Sequence, residues 1–308
     1  MKVLVTGGGG FIGSHIVDRL LADGHAVRVL DNFATGRREN LLDVLGEIEL
    51  VEGDIQSYER VHNAVADCEV VLHQGALPSV PRSVQDPLTS NATNVTGTLN
   101  VLLAARDAGV RRVVYASSSS IYGANPELPK HEGLQPQPIS PYAVAKLAGE
   151  GFCRSFHEVF GLETVALRYF NVFGPRQDPL SQYAAVVPNF VSALLNGARP
   201  VVYGDGEQSR DFTYVGNVVQ GNVLAMSAEG VGGKVYNLAA GDRTTLNELL
   251  GHIGRLVGRE HDARYEPPRL GDVKHSQADV SAAARDLGYE PKVSVEAGLA
   301  LTLDWFRA

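Results

Sequence analysis

From Val3 to Tyr169 the chain alternates short runs of β-branched and other apolar residues with longer amphipathic stretches. The runs at 3–5, 26–30, 48–51, 70–73, 112–116 and 164–169 have strand length and are apolar nearly throughout. Helical stretches fall at 14–22, 91–108 and 141–160. Strands that are apolar on both faces need cover on both, and a parallel sheet with helical crossovers provides it. The pattern predicts an α/β chain built on a doubly wound parallel sheet.

The rhythm breaks near Asn171, where residues 171–178 are rich in Gly and Pro. A helix at 186–195 follows, then a strand at 201–203 that runs into the turn Gly204-Asp205-Gly206. A further sheet strand at 235–238 and helices at 246–257, 281–287 and 295–306 complete the chain. The tail predicts a smaller α/β lobe over the carboxyl edge of the sheet. The expected division is discontinuous: 1–173 plus 212–240 in one lobe, 174–211 plus 241–308 in the other.

The chain has 308 residues, with 27 basic against 35 acidic side chains and a net charge of −8. That balance argues against nucleic acid or an anionic membrane as the main partner. An anionic ligand must instead be held by a few placed groups. Cys68 and Cys153 have no metal-ligand spacing and suggest no disulfide, which fits a reducing, cytoplasmic setting. Met1-Lys2 leads straight into a strand run, and no apolar stretch is long enough to span a bilayer. The nine histidines show no ligand spacing and read as structural or surface residues, so no metal is expected.

Thr6-Gly7-Gly8-Gly9-Gly10-Phe11-Ile12-Gly13 joins the first strand to the first helix. Gly7, Gly10 and Gly13 have the spacing G-x-x-G-x-x-G, which lets backbone N–H groups and a helix N-terminus approach a pyrophosphate. The sheet is therefore expected to be of Rossmann type and to bind a dinucleotide. Asp31 ends the second strand, where a carboxylate accepts the ribose hydroxyls and favours NAD over NADP. Arg37 and Arg38 follow closely and read as solvated surface. Asp54, with Ile55, closes the third strand and either meets the adenine or caps the following turn.

The serine run Ser117-Ser118-Ser119-Ser120 follows the fifth strand, at the sheet edge where such folds bind ligands. Just beyond it, Ser140 and Pro141 read as N-cap and first residue of a helix. Tyr142 and Lys146 then lie on successive turns of one face. An ammonium beside a tyrosine favours the phenolate, so the pair reads as a general base.

These motifs together resemble the extended short-chain dehydrogenase/reductases, and within them the sugar-nucleotide 4-epimerases. The resemblance rests on residues 6–14, Asp31-Asn32, Asn94-Val95-Thr96-Gly97-Thr98, the serine run with Tyr122-Gly123, and 140–146. It continues through 167–179, Ser209-Arg210-Asp211-Phe212 and Arg269-Leu270-Gly271-Asp272. The UDP-N-acetylglucosamine 4-epimerase branch also shares Ser79-Val80-Pro81-Arg82-Ser83 and Gly271-Asp272-Val273-Lys274-His275-Ser276.

The resemblance implies Tyr142 as base, Lys146 as its partner and a ligand of the nicotinamide ribose, and Ser118 as the serine at the reacting hydroxyl. Gly7, Gly10, Phe11, Ile12, Gly13, Asp31, Asn32, Asp54, Ile55 and Asn94 match cofactor-side positions. Ser79, Ser119, Asn171, Val187, Tyr203, Arg210, Arg269, Asp272 and Ser276 match the substrate side. Two arginines would clamp a diphosphate even on an acidic protein. The bland reading of Arg210-Asp211 is a local ion pair.

The implied reaction is NAD-dependent inversion at C4 of a UDP-hexose through a transient 4-keto sugar. Ser119-Ser120 stands where dehydratases of the superfamily carry Asp-Glu, so elimination is not expected. Ser276 stands where hexose-restricted epimerases have tyrosine, which leaves room for an N-acetyl group. Pro78 and residues 180–182 depart from the family pattern. A homodimer through the helices at 91–108 and 141–160 is expected by analogy. The alternatives are a UDP-glucuronate 4-epimerase with the same chemistry and a non-catalytic NAD-sensing protein. The second is disfavoured because Ser118, Tyr142 and Lys146 are all retained.

Overall fold

The computed structural model describes residues 1–179, 185–259, 262–268 and 274–307. Seven strands form the central sheet: β1 Lys2–Thr6, β2 Ala26–Asp31, β3 Ile48–Glu52, β4 Val70–His73, β5 Arg112–Ser118, β6 Glu163–Tyr169 and β7 Lys234–Leu238. All six pairings are parallel, and the order is 3-2-1-4-5-6-7. The direction of winding reverses between β1 and β4, which opens a crevice at their carboxyl ends.

The two-residue period of the strands sorts the core. Val3, Val5, Val29, Leu72, Val114 and Leu167 face one side and pack on helix α1, Phe11–Ala22, and on the helix Val215–Ser227. Leu4, Leu30, Val71, Val113 and Ala166 face the other side. There they meet α2, Tyr58–Val65, α3, Gly97–Asp107, and α4, Pro141–Phe160. Each such side chain contributes roughly 1.5–3 kcal/mol when fully buried.

The predicted helix at 91–108 is present, helical through Asp107, with a π turn within it. A short helix Pro87–Asn91 leads into a π turn at Ala92–Thr96, and α3 starts only at Gly97. Thr98 Oγ1 donates to the Asn94 carbonyl at 2.7 Å, which displaces the regular backbone bond. The Asn94 side chain in turn bonds the N–H and carbonyl of Leu77.

Beyond β6 a second apolar cluster forms, with Val187, Phe190, Val202, Leu249, Ile253 and Leu303 at its centre. It draws on the helices Val186–Leu195, Leu246–Val257 and Val295–Arg307 and on the strand Val201–Tyr203. Phe173 and Phe212 also pack into it. Among the described residues no helix is long and apolar enough to cross a membrane.

Candidate functional site

The glycine turn lies at the crevice. Gly7 has φ +70°, and a Cβ there would sit 2.7 Å from the backbone of Gly75. The turn after β1 is thus pressed against the loop after β4. A Cβ on Gly13 would lie 2.1 Å from the Gly7 carbonyl oxygen, so α1 rests directly on the turn. Gly10 is the N-cap of α1 and provides no side-chain cap, while Phe11 and Ile12 open its first turn, half-buried. First-turn N–H groups without a side-chain cap suit an anion.

Asp31 ends β2 over this turn. Its carboxylate accepts the Gly9 N–H at 2.8 Å and the Phe33 N–H at 2.7 Å. Burial pushes its carboxyl above the usual range, and those N–H bonds work against the shift. Asn32 donates to Asp54 at 2.9 Å, which links the ends of β2 and β3. Asp54 also accepts the Gln56 N–H at 2.8 Å, so it does cap the following turn, and Ile55 is buried. Arg37 and Arg38 are exposed but paired, Arg37 with Asp178 at 2.7 Å and Arg38 with Glu52.

His73 stitches the crevice together. Thr98 spends its proton on Asn94, so His73 Nε2 must donate to Thr98 Oγ1, 3.0 Å away. His73 Nδ1 then accepts from Thr6 Oγ1 at 2.7 Å, and Thr6 Oγ1 accepts the Gly75 N–H at 3.1 Å. The ring is neutral in this chain. Burial, with Lys146 nearby, lowers it to about 3.

The serine run and α4 meet at the carboxyl end of β5. Ser118 ends the strand, and its Oγ accepts the Ser120 N–H at 3.2 Å, so Ser119 and Ser120 open a single 3-10 turn. The start of α4 is as predicted: Ser140 Oγ accepts the Ala143 N–H at 3.2 Å, with Pro141 first in the helix. Ser83, from the short helix Val80–Gln85, accepts the Tyr142 N–H at 3.1 Å. Lys146 Nζ donates to the Ala116 carbonyl at 2.9 Å and lies 5.9 Å from the centre of the Tyr142 ring.

The electrostatics of this pair depart from expectation. Burial pushes the Tyr142 hydroxyl up to about 12, against a hydrogen bond to Ser118 that lowers it. Burial lowers Lys146 to about 8, against Cys153 and Glu150. An ammonium turned onto a backbone carbonyl does not offset the desolvation of the phenol.

A cavity of about 280 Å³ opens beyond β6, and its lining includes Asn171, Val187, Tyr203, Gln208, Arg210 and Phe212. Asn171, at φ +32°, donates to the Asp211 carbonyl at 3.2 Å. Arg210 Nη1 donates to the carbonyls of Ser209 and Lys274 at 3.0 and 3.2 Å. Asp211 faces elsewhere. Its carboxylate accepts the N–H groups of Ala240, Gly241 and Ala278, so the local ion-pair reading of Arg210-Asp211 is replaced by a staple across three segments.

Two residues expected on the substrate side also make bonds within the protein. Ser79, at φ +97°, caps the helix Val80–Gln85 by accepting the Arg82 N–H at 3.2 Å. Ser276 is half-buried, donates its N–H to the Ser209 carbonyl at 3.1 Å, and is not part of the cavity wall. Arg269 and Asp272 lie outside the described residues, as does the 180–184 loop. Sequence reasoning missed His73, Ser83, Glu150 and Gln208. Of these only Glu150 carried a signal, one further helical repeat from Lys146.

A family model described as NAD dependent epimerase/dehydratase matches residues 3–239. The chain belongs to the NAD-dependent epimerase/dehydratase family. A UDP-glucose 4-epimerase of Mycolicibacterium smegmatis is 41% identical over 312 residues, spanning 100% of this chain and 99% of that one. A crystal structure of UDP-glucose 4-epimerase with UDP-glucose, from Thermotoga maritima, is 40% identical with a TM-score of 0.95, covering 100% of this chain and 99% of that one. A UDP-N-acetylglucosamine 4-epimerase from Methanobrevibacter ruminantium, in complex with UDP-N-acetylmuramic acid, is 42% identical with a TM-score of 0.95, covering 99% and 98%. The family's NAD fits the residues present: a glycine turn without room for side chains, a helix N-terminus without a side-chain cap, and a carboxylate at the end of β2. Among the described residues no cluster of three His, Cys, Asp or Glu could hold a metal ion.

Proposed function

We propose that the chain is a UDP-sugar 4-epimerase. It inverts C4 of a UDP-hexose, from the UDP-Glc/UDP-Gal or UDP-GlcNAc/UDP-GalNAc pair or both, through a transient 4-keto sugar. The observation that carries this reading is the convergence of Ser118, Tyr142 and Lys146 at the end of β5. Their neighbour across β6, Tyr169, pairs with Ser118 and stands two residues before Asn171, in the cavity wall. The two epimerase structures that match the whole chain support it.

Gly7, Gly10, Phe11, Ile12 and Gly13 would hold the pyrophosphate of NAD. Asp31, Asn32, Asp54, Ile55 and Asn94 would hold its adenosine and the adjoining loops. When bound, NAD supplies a reversible hydride acceptor and a positive charge. As the phenolate, which the positive charge of bound NAD would favour over the protonated form that burial alone holds, Tyr142 Oη takes the proton of the C4 hydroxyl and later returns it, so the same group serves both faces of the sugar. The Ser118 hydroxyl orients that C4 hydroxyl, and its bond to Tyr142 favours the phenolate. Lys146 contributes its charge below about pH 8. Arg210 and Arg269 would clamp the diphosphate, leaving the sugar free to turn, and Asp272 matches a position on the nucleotide side. Ser119 and Ser120 provide no carboxylate for elimination. The small side chain of Ser276 favours acceptance of the N-acetylated pair.

The test is product analysis after separate incubation with UDP-Glc, UDP-GlcNAc and UDP-GlcA. Conversion of either of the first two is expected. Conversion of UDP-GlcA alone would replace the substrate reading, and conversion of none would remove the epimerase reading. Tyr142→Phe should lower turnover by about 10²–10⁴-fold while UDP still binds. Ser276→Tyr should lose the acetylated pair first.

A further inference from the structure

Arg168 belongs to the Leu167–Asn171 run, yet the chemistry proposed above leaves it without a task. We infer that the buried Arg168–Glu150 pair is a positioning device that locks the Tyr142–Lys146 helix beside Ser118 and supplies the counter-charge to the Lys146 ammonium. This rests on the epimerase reading and deepens it.

Three observations carry the inference. First, Tyr142, Lys146 and Glu150 recur every four residues on α4, so one face carries all three. Second, the pair is forked and fully engaged. Arg168 Nε donates to Glu150 Oε1 at 2.9 Å and Nη2 donates to Oε2 at 2.7 Å. Ser117, the residue before Ser118, donates to the same carboxylate and pairs with Arg168 in the sheet register. The third Arg168 contact, Nη1 to Tyr122 Oη at 2.8 Å, continues through Tyr122 to Asn237 on β7. The helix is thereby tied to three adjacent strands. Buried ion pairs are often matched or bettered by apolar residues, so stability alone does not account for one.

Third, among the described residues Glu150 is the one carboxylate that faces Lys146. Tyr142, Glu150 and Cys153 face it from its own helix, Tyr115 and the Ala116 carbonyl from β5, and His73 from β4. Burial holds the Cys153 thiol and the Tyr115 and Tyr142 hydroxyls protonated through neutral pH. His73 is neutral above about 3. Removing the Glu150 charge therefore leaves the ammonium unsupported, and it deprotonates at lower pH.

The test is the double variant Glu150→Gln/Arg168→Met, which removes both charges at similar volume and strands neither. The unfolding midpoint and the NAD content of the purified protein should stay near wild type. Turnover should fall about tenfold, and the alkaline limb of kcat should move down by a fraction of a pH unit, because the lost carboxylate bears on Lys146 while the guanidinium lost with it offsets part of the effect. A folded double variant with wild-type turnover and an unmoved limb overturns the inference. If the double variant does not fold, Glu150→Asp keeps the charge and shortens the reach. It should lower kcat with the limb in place, and wild-type kcat overturns the positioning role. A wild-type protein that converts no UDP-sugar removes the epimerase reading instead, an outcome separate from both.

Discussion

His73 illustrates what a single residue decides here. Its two ring nitrogens are committed in opposite senses, one accepting from Thr6 and one donating to Thr98. Protonation would force both to donate and would break the run that ties Gly75 to Asn94. The folded-state value is lowered from 6.5 to about 3. Between those values the unfolded chain binds more protons than the folded one, so stability falls as pH drops from about 6.5 toward 3. His73→Gln should lower the unfolding free energy at pH 8 by about 1–3 kcal/mol. It should also flatten the decline on the acid side. An equally steep decline in the variant would remove His73 as its source.

At the scale of elements, the placing of Tyr142 depends on how α4 begins. Ser140 caps it locally, and Ser83 reaches in from the helix Val80–Gln85 to take the Tyr142 N–H. Ser140→Ala should cost about 1 kcal/mol of stability. Ser83→Ala leaves an N–H at the tyrosine itself without its acceptor. It should cost a similar amount and also raise KM or lower kcat several-fold, measured on whichever UDP-sugar the protein converts. If turnover is untouched while stability falls, Ser83 is a structural tie only. The π turn at Ala92–Thr96, packed against α4, places Asn94 on the Leu77 backbone.

At the scale of the molecule, an apolar hollow of about 460 Å³ lies where the Pro87–Asn91 helix meets the start of α4, with Pro87, Pro138, Ile139 and Val144 in its wall. Leu88 is 83% exposed and Val144 54%. Contiguous exposed apolar surface of this kind is characteristic of association sites. We propose that a second copy of the chain covers it, as the family resemblance implies. Sedimentation should give a dimer for the wild type and a monomer for Leu88→Glu/Val144→Glu. A monomeric wild type would remove the proposal.

Much of this molecule was legible in its residues because the rules involved are local. A strand's apolar run, a glycine turn, a Ser-Pro helix start and a Tyr-to-Lys spacing of one turn each act over a few neighbours. They sufficed for the parallel sheet, its crevice, the boundaries of α4 and the pairing of Tyr142 with Lys146, while Ser118 was singled out by the family resemblance. What required the tertiary structure depends on chain distant in sequence. Desolvation put the proton on Tyr142 and weakened Lys146, the reverse of what their spacing alone implies. Contacts between distant segments turned Asp211 into a staple. The Glu150 spacing was visible, but its meaning came from Arg168 and Ser117 on neighbouring strands. Periodicity reports which face a residue occupies, and only the folded surroundings determine which charges that face can hold.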